Sequence, residues 1–419
     1  MSSAFLSKHP LLLLLSIAPG LLAAAVLAIS FYPPVYRRIA KWRLPVLILV
    51  YIVTRPVLFY VIYVLLGDRQ IAGDIRFFQG QGLAALAGKL PYRDFDCYYS
   101  PLFPYLMAIP YGIWSHISSG VLAFIVFDIA CLILLCKLTR MTLGPDRVMD
   151  IAWLHAVNPM VWMITVRYGQ DESIICCFLL LAVYLYLKDS RWWAPITLAL
   201  GVILTKFTTA MGMMAIFTYS KAKARDALVA GGIVVAIYSF FYFSGGDILQ
   251  PVRGQAASID GVSLTTMADR LLVPHGYHVM AQRVGSILTL VAVAFVLYLA
   301  HRRRLHIVDG LTVSLLAFFL LSPVSYKFYR LWYLGPLGMY ALRSNRINRF
   351  VFYTALLVVF DDFSFRPATP SALLYLMGVL AAAIVCFEAR YIVEILRGGP
   401  LAHAKKTNAP VRDKVRAGT

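Results

Sequence analysis

An aspartate placed just beyond a long apolar run is the first residue that invites a chemical reading. Asp74 stands in the segment Gly73-Asp74-Ile75-Arg76-Phe77-Phe78. A carboxylate at the mouth of a membrane cavity can take the proton of a hydroxyl as that hydroxyl attacks an electrophile. The plainer alternative is a surface aspartate paired with Arg69 or Arg76. The same loop continues through Asp94-Phe95-Asp96 and Tyr98-Tyr99-Ser100-Pro101-Leu102-Phe103. An Asp-x-Asp pair can hold a divalent cation, but no further oxygen-ligand cluster stands near it, so it reads as a loop-ordering pair. Later, His155 and Asn158 precede the turn Gly169-Gln170-Asp171-Glu172. Both read as helix-to-helix glue rather than ligands.

Four cations fall within or beside apolar runs: Arg167, Lys206, Lys327 and Arg330. Charge inside a membrane is costly and is a functional hypothesis by default. A phosphate takes Arg forks or a Lys point charge, so these four are candidates for cradling one. The alternative is that they snorkel to the headgroups. Arg55 reads as structural, a partner for Asp128. Tyr329, Trp332 and Tyr333 either line a sugar pocket or form an interfacial belt.

Composition determines which elements must position these residues. The chain has 419 residues, 60% hydrophobic and only 14% charged, against roughly 25% charged in soluble domains. This excludes a soluble enzyme, a disordered chain and a secreted disulfide scaffold. Helices or closed barrels satisfy the backbone in lipid. The apolar runs are continuous rather than alternating, so a barrel is excluded too. The net charge of +19 reads as basic cytoplasmic loops against anionic lipid, not as a nucleic-acid surface, for which no soluble basic domain exists. Cys131, Cys136, Cys176, Cys177 and Cys386 lie in apolar segments and Cys97 in a polar loop. No CxxC or Cys/His metal spacing occurs. No P-loop or GxGxxG follows a strand, which argues against a nucleotide site.

The expected fold is therefore an all-α polytopic membrane protein with about 11–14 spans, some broken or recessed, since a span needs about 20 helical residues. The first run, 10–32, is followed by Arg37, Arg38, Lys41 and Arg43 and reads as a retained helix. The segments 36–43, 137–149, 188–191, 220–226, 301–309, 343–349 and the tail are basic, and so cytoplasmic. The loops 67–100 and 244–283 are charge-balanced, and so extracytoplasmic. Threading the chain on this rule places 169–172, Lys206, 322–330 and 361–370 outside as well, around a polar cavity sunk into the membrane. The run 193–219 crosses twice only if it is broken at Lys206, and 101–117 is re-entrant or interfacial unless the parity fails there. The stretch QGQGLAALAGKLPY reads as an amphipathic helix in the first outer loop. Residues 1–394 read as one transmembrane catalytic domain and 395–419 as a basic cytoplasmic tail.

The order of these motifs resembles that of C-type glycosyltransferases. These multi-spanning enzymes place an acidic residue after an early helix and close the loop with a Tyr-Asp-Phe then aromatic-Pro-Pro-Leu stretch. Asp128 in Phe127-Asp128-Ile129-Ala130, Asn158-Pro159 with Gly169 to Glu172, Lys206-Phe207, and Ser322-Pro323 with Tyr329 to Tyr333 match patterns of the mannosyltransferase branch. The GPI mannosyltransferases and the bacterial polyprenyl-linked mannosyltransferases are the most similar groups. The resemblance implies an inverting enzyme that moves a sugar, mannose by this branch, from a polyprenyl-phosphate donor to a lipid- or glycan-linked acceptor at the extracytoplasmic face. It implies Asp74 as base, and Lys206, Arg167, Lys327 and Arg330 at the donor phosphate. Asp94, Asp96, Tyr98, Gln170, Asp171, Glu172, Tyr329 and Tyr333 would contact substrate. Arg76 stands where relatives often carry a second Asp, so no metal or other cofactor is expected. The alternatives are a flippase or transporter of lipid-linked sugars, which usually shows matching halves, and a polysaccharide ligase or polymerase.

Overall fold

The computed structural model describes residues 22, 24–32, 35, 42–67, 73–256, 260–272, 278–362 and 371–398. Most of the first apolar run, Arg69, the outer stretch 363–370 and the tail from 399 lie outside the described residues. The chain is a bundle of helices. Among the described residues, four are long and apolar enough to cross a membrane: Arg43–Leu65, Ser119–Thr142, Lys223–Phe243 and Gln282–Arg302. Their outer faces carry large exposed apolar side chains such as Val126, Ile133, Leu228, Phe240, Leu290 and Phe295. Such faces are stable only against lipid. Shorter apolar helices, including Glu172–Leu187, Trp193–Leu204 and Ile307–Leu321, lie inside. Their side chains, with those of Leu331–Arg343, form the core around Trp332, Tyr333 and Phe319.

A buried polar cluster centred on Asp128 ties helices of the bundle together. Arg55 sits in a π-helical stretch, Val53–Val57, that also holds Pro56. Proline cannot donate to the helix ladder, and the wider turn brings Arg55 inward. Its Nε donates to Asp128 Oδ2 at 3.0 Å, as the sequence reading expects. Asp128 also receives Tyr51 Oη at 2.8 Å and meets His155 Nε2 at 2.7 Å. Asn158 caps the helix Pro159–Trp162 by accepting from Met160 N at 3.0 Å. Both His155 and Asn158 are therefore structural.

Of the segments assigned to one side by charge, residues 73–100, 169–172, Lys206 and 322–330 come together. The loop 67–100 contains a helix, Gly73–Leu86, that starts ahead of the expected amphipathic stretch. It packs on a second short helix, Phe103–Ile113, where Gly82 leaves room for Tyr111 and the Met107 backbone. That second helix is roughly 16 Å long, too short for a core of about 30 Å, which agrees with a re-entrant or interfacial segment. The run 193–219 is broken as expected: Trp193–Leu204 ends, Lys206 is extended, and Ala210–Tyr219 begins after one short turn. The first loop bonds to this break, Ser100 N to Thr205 O and Leu102 N to Ile203 O, each at 3.0 Å. A parallel pair of two-residue strands, Asp260–Gly261 and Val324–Ser325, links the loop 244–283 to the late loop 322–330. Gly261 has φ +98°, and any Cβ there would strike Ser325 O, so the pairing requires glycine.

Candidate functional site

Asp74 occupies the first turn of the helix Gly73–Leu86, where the helix dipole favours a carboxylate. Its neighbour Ile75 packs beneath Gly169. Gly169 has φ +56°, and a Cβ would stand 2.5 Å from Ile75 Cδ1 and 2.9 Å from Val121 Cγ2. Only glycine therefore lets the turn 169–172 approach the loop helix this closely. The turn is held by Gln170 N donating to Ile164 O at 3.1 Å. From there Gln170 Nε2 donates to Asp74 Oδ2 at 2.8 Å. The amide fixes one carboxylate oxygen and leaves the other for chemistry.

Next to Gln170 lies a buried ion triad. Lys206 Nζ meets Asp171 Oδ1 at 2.9 Å and Glu172 Oε1 at 2.7 Å. The ammonium also lies over the rings of Tyr99 and Tyr329, 5.1 and 4.8 Å from their centroids. The second oxygens of Asp171 and Glu172 are buried with no hydrogen-bond partner among the described residues. Lys206 reaches this position because the helix breaks at Thr205 and resumes after it.

These groups surround one cavity of about 240 Å3, lined by Asp74, Tyr98, Tyr99, Gln170, Lys206, Tyr326, Phe328 and Tyr329. One wall is acidic and polar, the other aromatic. Beside it, Arg167 and Lys327 approach the ring of Tyr168 at 5.3 and 4.8 Å. Tyr168 in turn packs on Phe328, with centroids 5.7 Å apart. Of the expected residues, the structure thus brings together Asp74, Tyr98, Gln170, Lys206 and Tyr329, with Asp171 and Glu172 directly behind and Arg167 and Lys327 at the side.

Four expected residues are placed elsewhere. Arg330 is fully buried and committed. Its Nε meets Glu388 Oε1 at 3.2 Å. Its other nitrogens donate to Ser325 O at 3.0 Å, Tyr326 O at 3.2 Å and Val262 O at 2.6 Å. Arg330 is therefore not a phosphate ligand; it pins the late loop to the loop 244–283 and to the helix Ser371–Arg397. Tyr333 Oη shares Glu388 Oε1 with Tyr353 Oη, both at 2.8 Å, and also leaves the substrate set. Asp94 faces solvent. Arg93 Nε and the Leu90 N–H, at 2.8 and 2.7 Å, hold its carboxyl down at about 2. Asp96 is taken by Gln250 Nε2. Both acidic residues order the loop, as their spacing suggests, and neither lines the cavity.

Tyr99, Tyr326 and Phe328 line the cavity without having been singled out. Each adjoins a residue that was, so extending the motifs by one position would have found them. Glu388 was also missed, although a carboxylate within the apolar run 371–394 is a signal in itself.

The cavity thus has an acidic and polar wall facing an aromatic one, among apolar helices long enough to cross a membrane, with the Asp74 carboxylate at its edge. The chain belongs to glycosyltransferase family 87, whose profile matches residues 98–323, more than half of the 419 residues. The profile of the MptB C-terminal domain matches residues 264–390. Asp74 lies ahead of both matches. The chain is also similar to GPI mannosyltransferase 1 of Saccharomyces cerevisiae, 31% identical over 107 residues, 25% of each chain. Against GPI mannosyltransferase 1 of Kluyveromyces lactis it is 28% identical over 103 residues, 24% of this chain and 25% of the relative. The chain thus spans about a quarter of the length of the curated relatives it matches. No solved structure matches.

The turn at Gly169 yields a direct expectation. Gly169→Ala pushes Ile75 and the start of its helix away, taking Asp74 off Gln170. Turnover falls by roughly 10- to 100-fold, because a 1 Å misplacement costs on the order of 100-fold. Steady-state kinetics on the purified variant check this, and a rate within twofold of wild type would contradict it.

Proposed function

We propose that the protein transfers one mannose from a polyprenyl monophosphate to a hydroxyl of a lipid- or glycan-linked acceptor, with inversion, at the extracytoplasmic face. The observation that carries this reading is the cavity that joins Asp74 and Gln170 to an aromatic wall. Its volume of about 240 Å3 lies below the roughly 300–1,000 Å3 of drug-sized sites and suits a single sugar ring. The names of the two relatives support mannose as the sugar. The lipid donor is supported by Arg167 and Lys327 beside the cavity and by the apolar outer faces of the bundle.

In the proposed step the acceptor O–H gives its proton to Asp74. The oxygen bonds to the anomeric carbon as the bond from that carbon to the phosphate oxygen breaks. The electron pair stays on the phosphate, which gains a negative charge. Arg167 and Lys327 stabilise that charge where it develops. Lys206 contributes less to it. An ammonium has three N–H groups, and two already serve Asp171 and Glu172. Attack from the face opposite the phosphate inverts the anomeric centre.

A metal is not required in this scheme. Asp94 is committed to Arg93 and Leu90, Asp96 to Gln250, and Arg76 stands two positions beyond Asp74. Transfer therefore continues at full rate in excess EDTA. Loss of activity restored by Mn2+ or Mg2+ would overturn this expectation.

The function itself is tested with purified protein, polyprenyl-phosphate mannose and a crude lipid acceptor extract. The expected products are a mannosylated acceptor and free polyprenyl phosphate. Transfer from a nucleotide sugar alone, or movement of intact donor across a vesicle without transfer, would contradict the reading.

A further inference from the structure

The second outer loop carries a short helix, Gln250–Ala256, that the proposed step does not use. It lies against the first loop where that loop enters the cavity wall. Gln250 Oε1 accepts the Cys97 N–H at 2.9 Å, and Gln250 Nε2 donates to Asp96 Oδ1. One turn further, Gly254 faces the Tyr98 ring. A Cβ at 254 would stand 2.6 Å from Cδ1 and 2.8 Å from Cε1 of that ring. The same ring stacks on Phe77, with centroids 5.9 Å apart and planes at 24°. Phe77 follows Asp74 by three residues on one helix. Tyr98 is 43% exposed and lines the cavity.

Gly254 does not have a positive φ among the described residues, so its backbone conformation does not call for glycine. Within a helix, glycine is less favourable than alanine. What requires glycine here is space for the Tyr98 ring. Tyr98 stacks on the helix that carries Asp74, so with Asp74 read as the base it borders the approach of the acceptor hydroxyl.

We propose that Gly254 is a specificity-determining position: its missing side chain seats Tyr98 against Phe77, and the size of residue 254 sets the fit of the acceptor. This rests on the reading of the cavity as the transfer site. A larger residue drives the Tyr98 ring off Phe77 and toward the space that the acceptor fills.

The test uses the purified full-length protein and compares wild type, Gly254→Ala, Gly254→Leu, Tyr98→Ala and the Tyr98→Ala/Gly254→Ala double variant. The acceptor KM rises about tenfold in Gly254→Ala, in line with one misplaced carbon in a fitted site, and further in Gly254→Leu. The donor KM and the melting temperature stay at wild-type values. In the Tyr98→Ala background, Gly254→Ala changes nothing further. An unchanged acceptor KM across the series would overturn the inference. So would an equal rise with Tyr98 absent, or a matching rise in donor KM. Should Tyr98→Ala be inactive, the Ala-to-Leu gradation decides. Absence of transfer by the wild-type protein would instead remove the reading beneath the inference, and the inference with it.

Discussion

Asp74→Asn lowers transfer by roughly 100- to 10,000-fold, the usual cost of removing a general base, and leaves the protein folded. Asparagine keeps the shape of the side chain and can still pair with Gln170 after an amide flip. Asp74 is exposed at the first turn of its helix, so its loss disturbs no core packing. The binding constants of donor and acceptor stay near wild type, because the change removes a proton acceptor and not a surface. The melting temperature is unchanged. A variant that keeps more than a tenth of the wild-type rate would end the assignment of Asp74 as base.

The second large effect falls on stability. Lys206→Ala leaves Asp171 and Glu172 buried side by side without their cation. Both carboxylates are fully buried, and each already has one oxygen without a partner among the described residues. Removing one partner of a buried ion pair costs about 3–5 kcal/mol. The variant is therefore expected to lose most of its folded yield in detergent and to melt well below wild type. Neutralising all three positions together, as Lys206→Met with Asp171→Asn and Glu172→Gln, recovers the melting temperature without recovering activity. A single Lys206→Ala variant as stable as wild type would show that the triad is not a structural element.

The parts of this molecule that charge and hydropathy dictate were legible in the sequence. Membrane class followed from continuous apolar runs. The break at Lys206 followed from a charge between two apolar half-runs and from threading the chain by the Lys/Arg rule, on which 193–219 crosses twice only if broken there. The positive-inside rule grouped 67–100, 169–172, Lys206 and 322–330 on one side. The hydrogen bonds Gln170 to Asp74 and Ser100 to Thr205 bring members of that group into contact. The Arg55–Asp128 pair was legible because two opposite charges inside neighbouring apolar runs have few other partners.

What failed to show was any pairing with a residue that the sequence reading had not weighed. Arg330 looked like a phosphate ligand because Glu388, 58 positions later, had not been weighed as its partner. Once that carboxylate and the carbonyls of Ser325, Tyr326 and Val262 are counted, the guanidinium has little left to offer. Tyr333 followed Arg330 into the same error. Conversely, Gln250 and Gly254 carry no chemical signal in sequence; they matter only because the second outer loop folds onto Cys97 and Tyr98.

The most direct test of the account is a structure of the protein with polyprenyl-phosphate mannose bound. The account predicts the sugar ring in the cavity between Asp74, Gln170 and Tyr329, with the phosphate against Arg167 and Lys327 and the polyprenyl chain along the outer face of the bundle. A sugar bound elsewhere, or a phosphate held by Arg330 or by Asp94 and Asp96 through a metal ion, would contradict it.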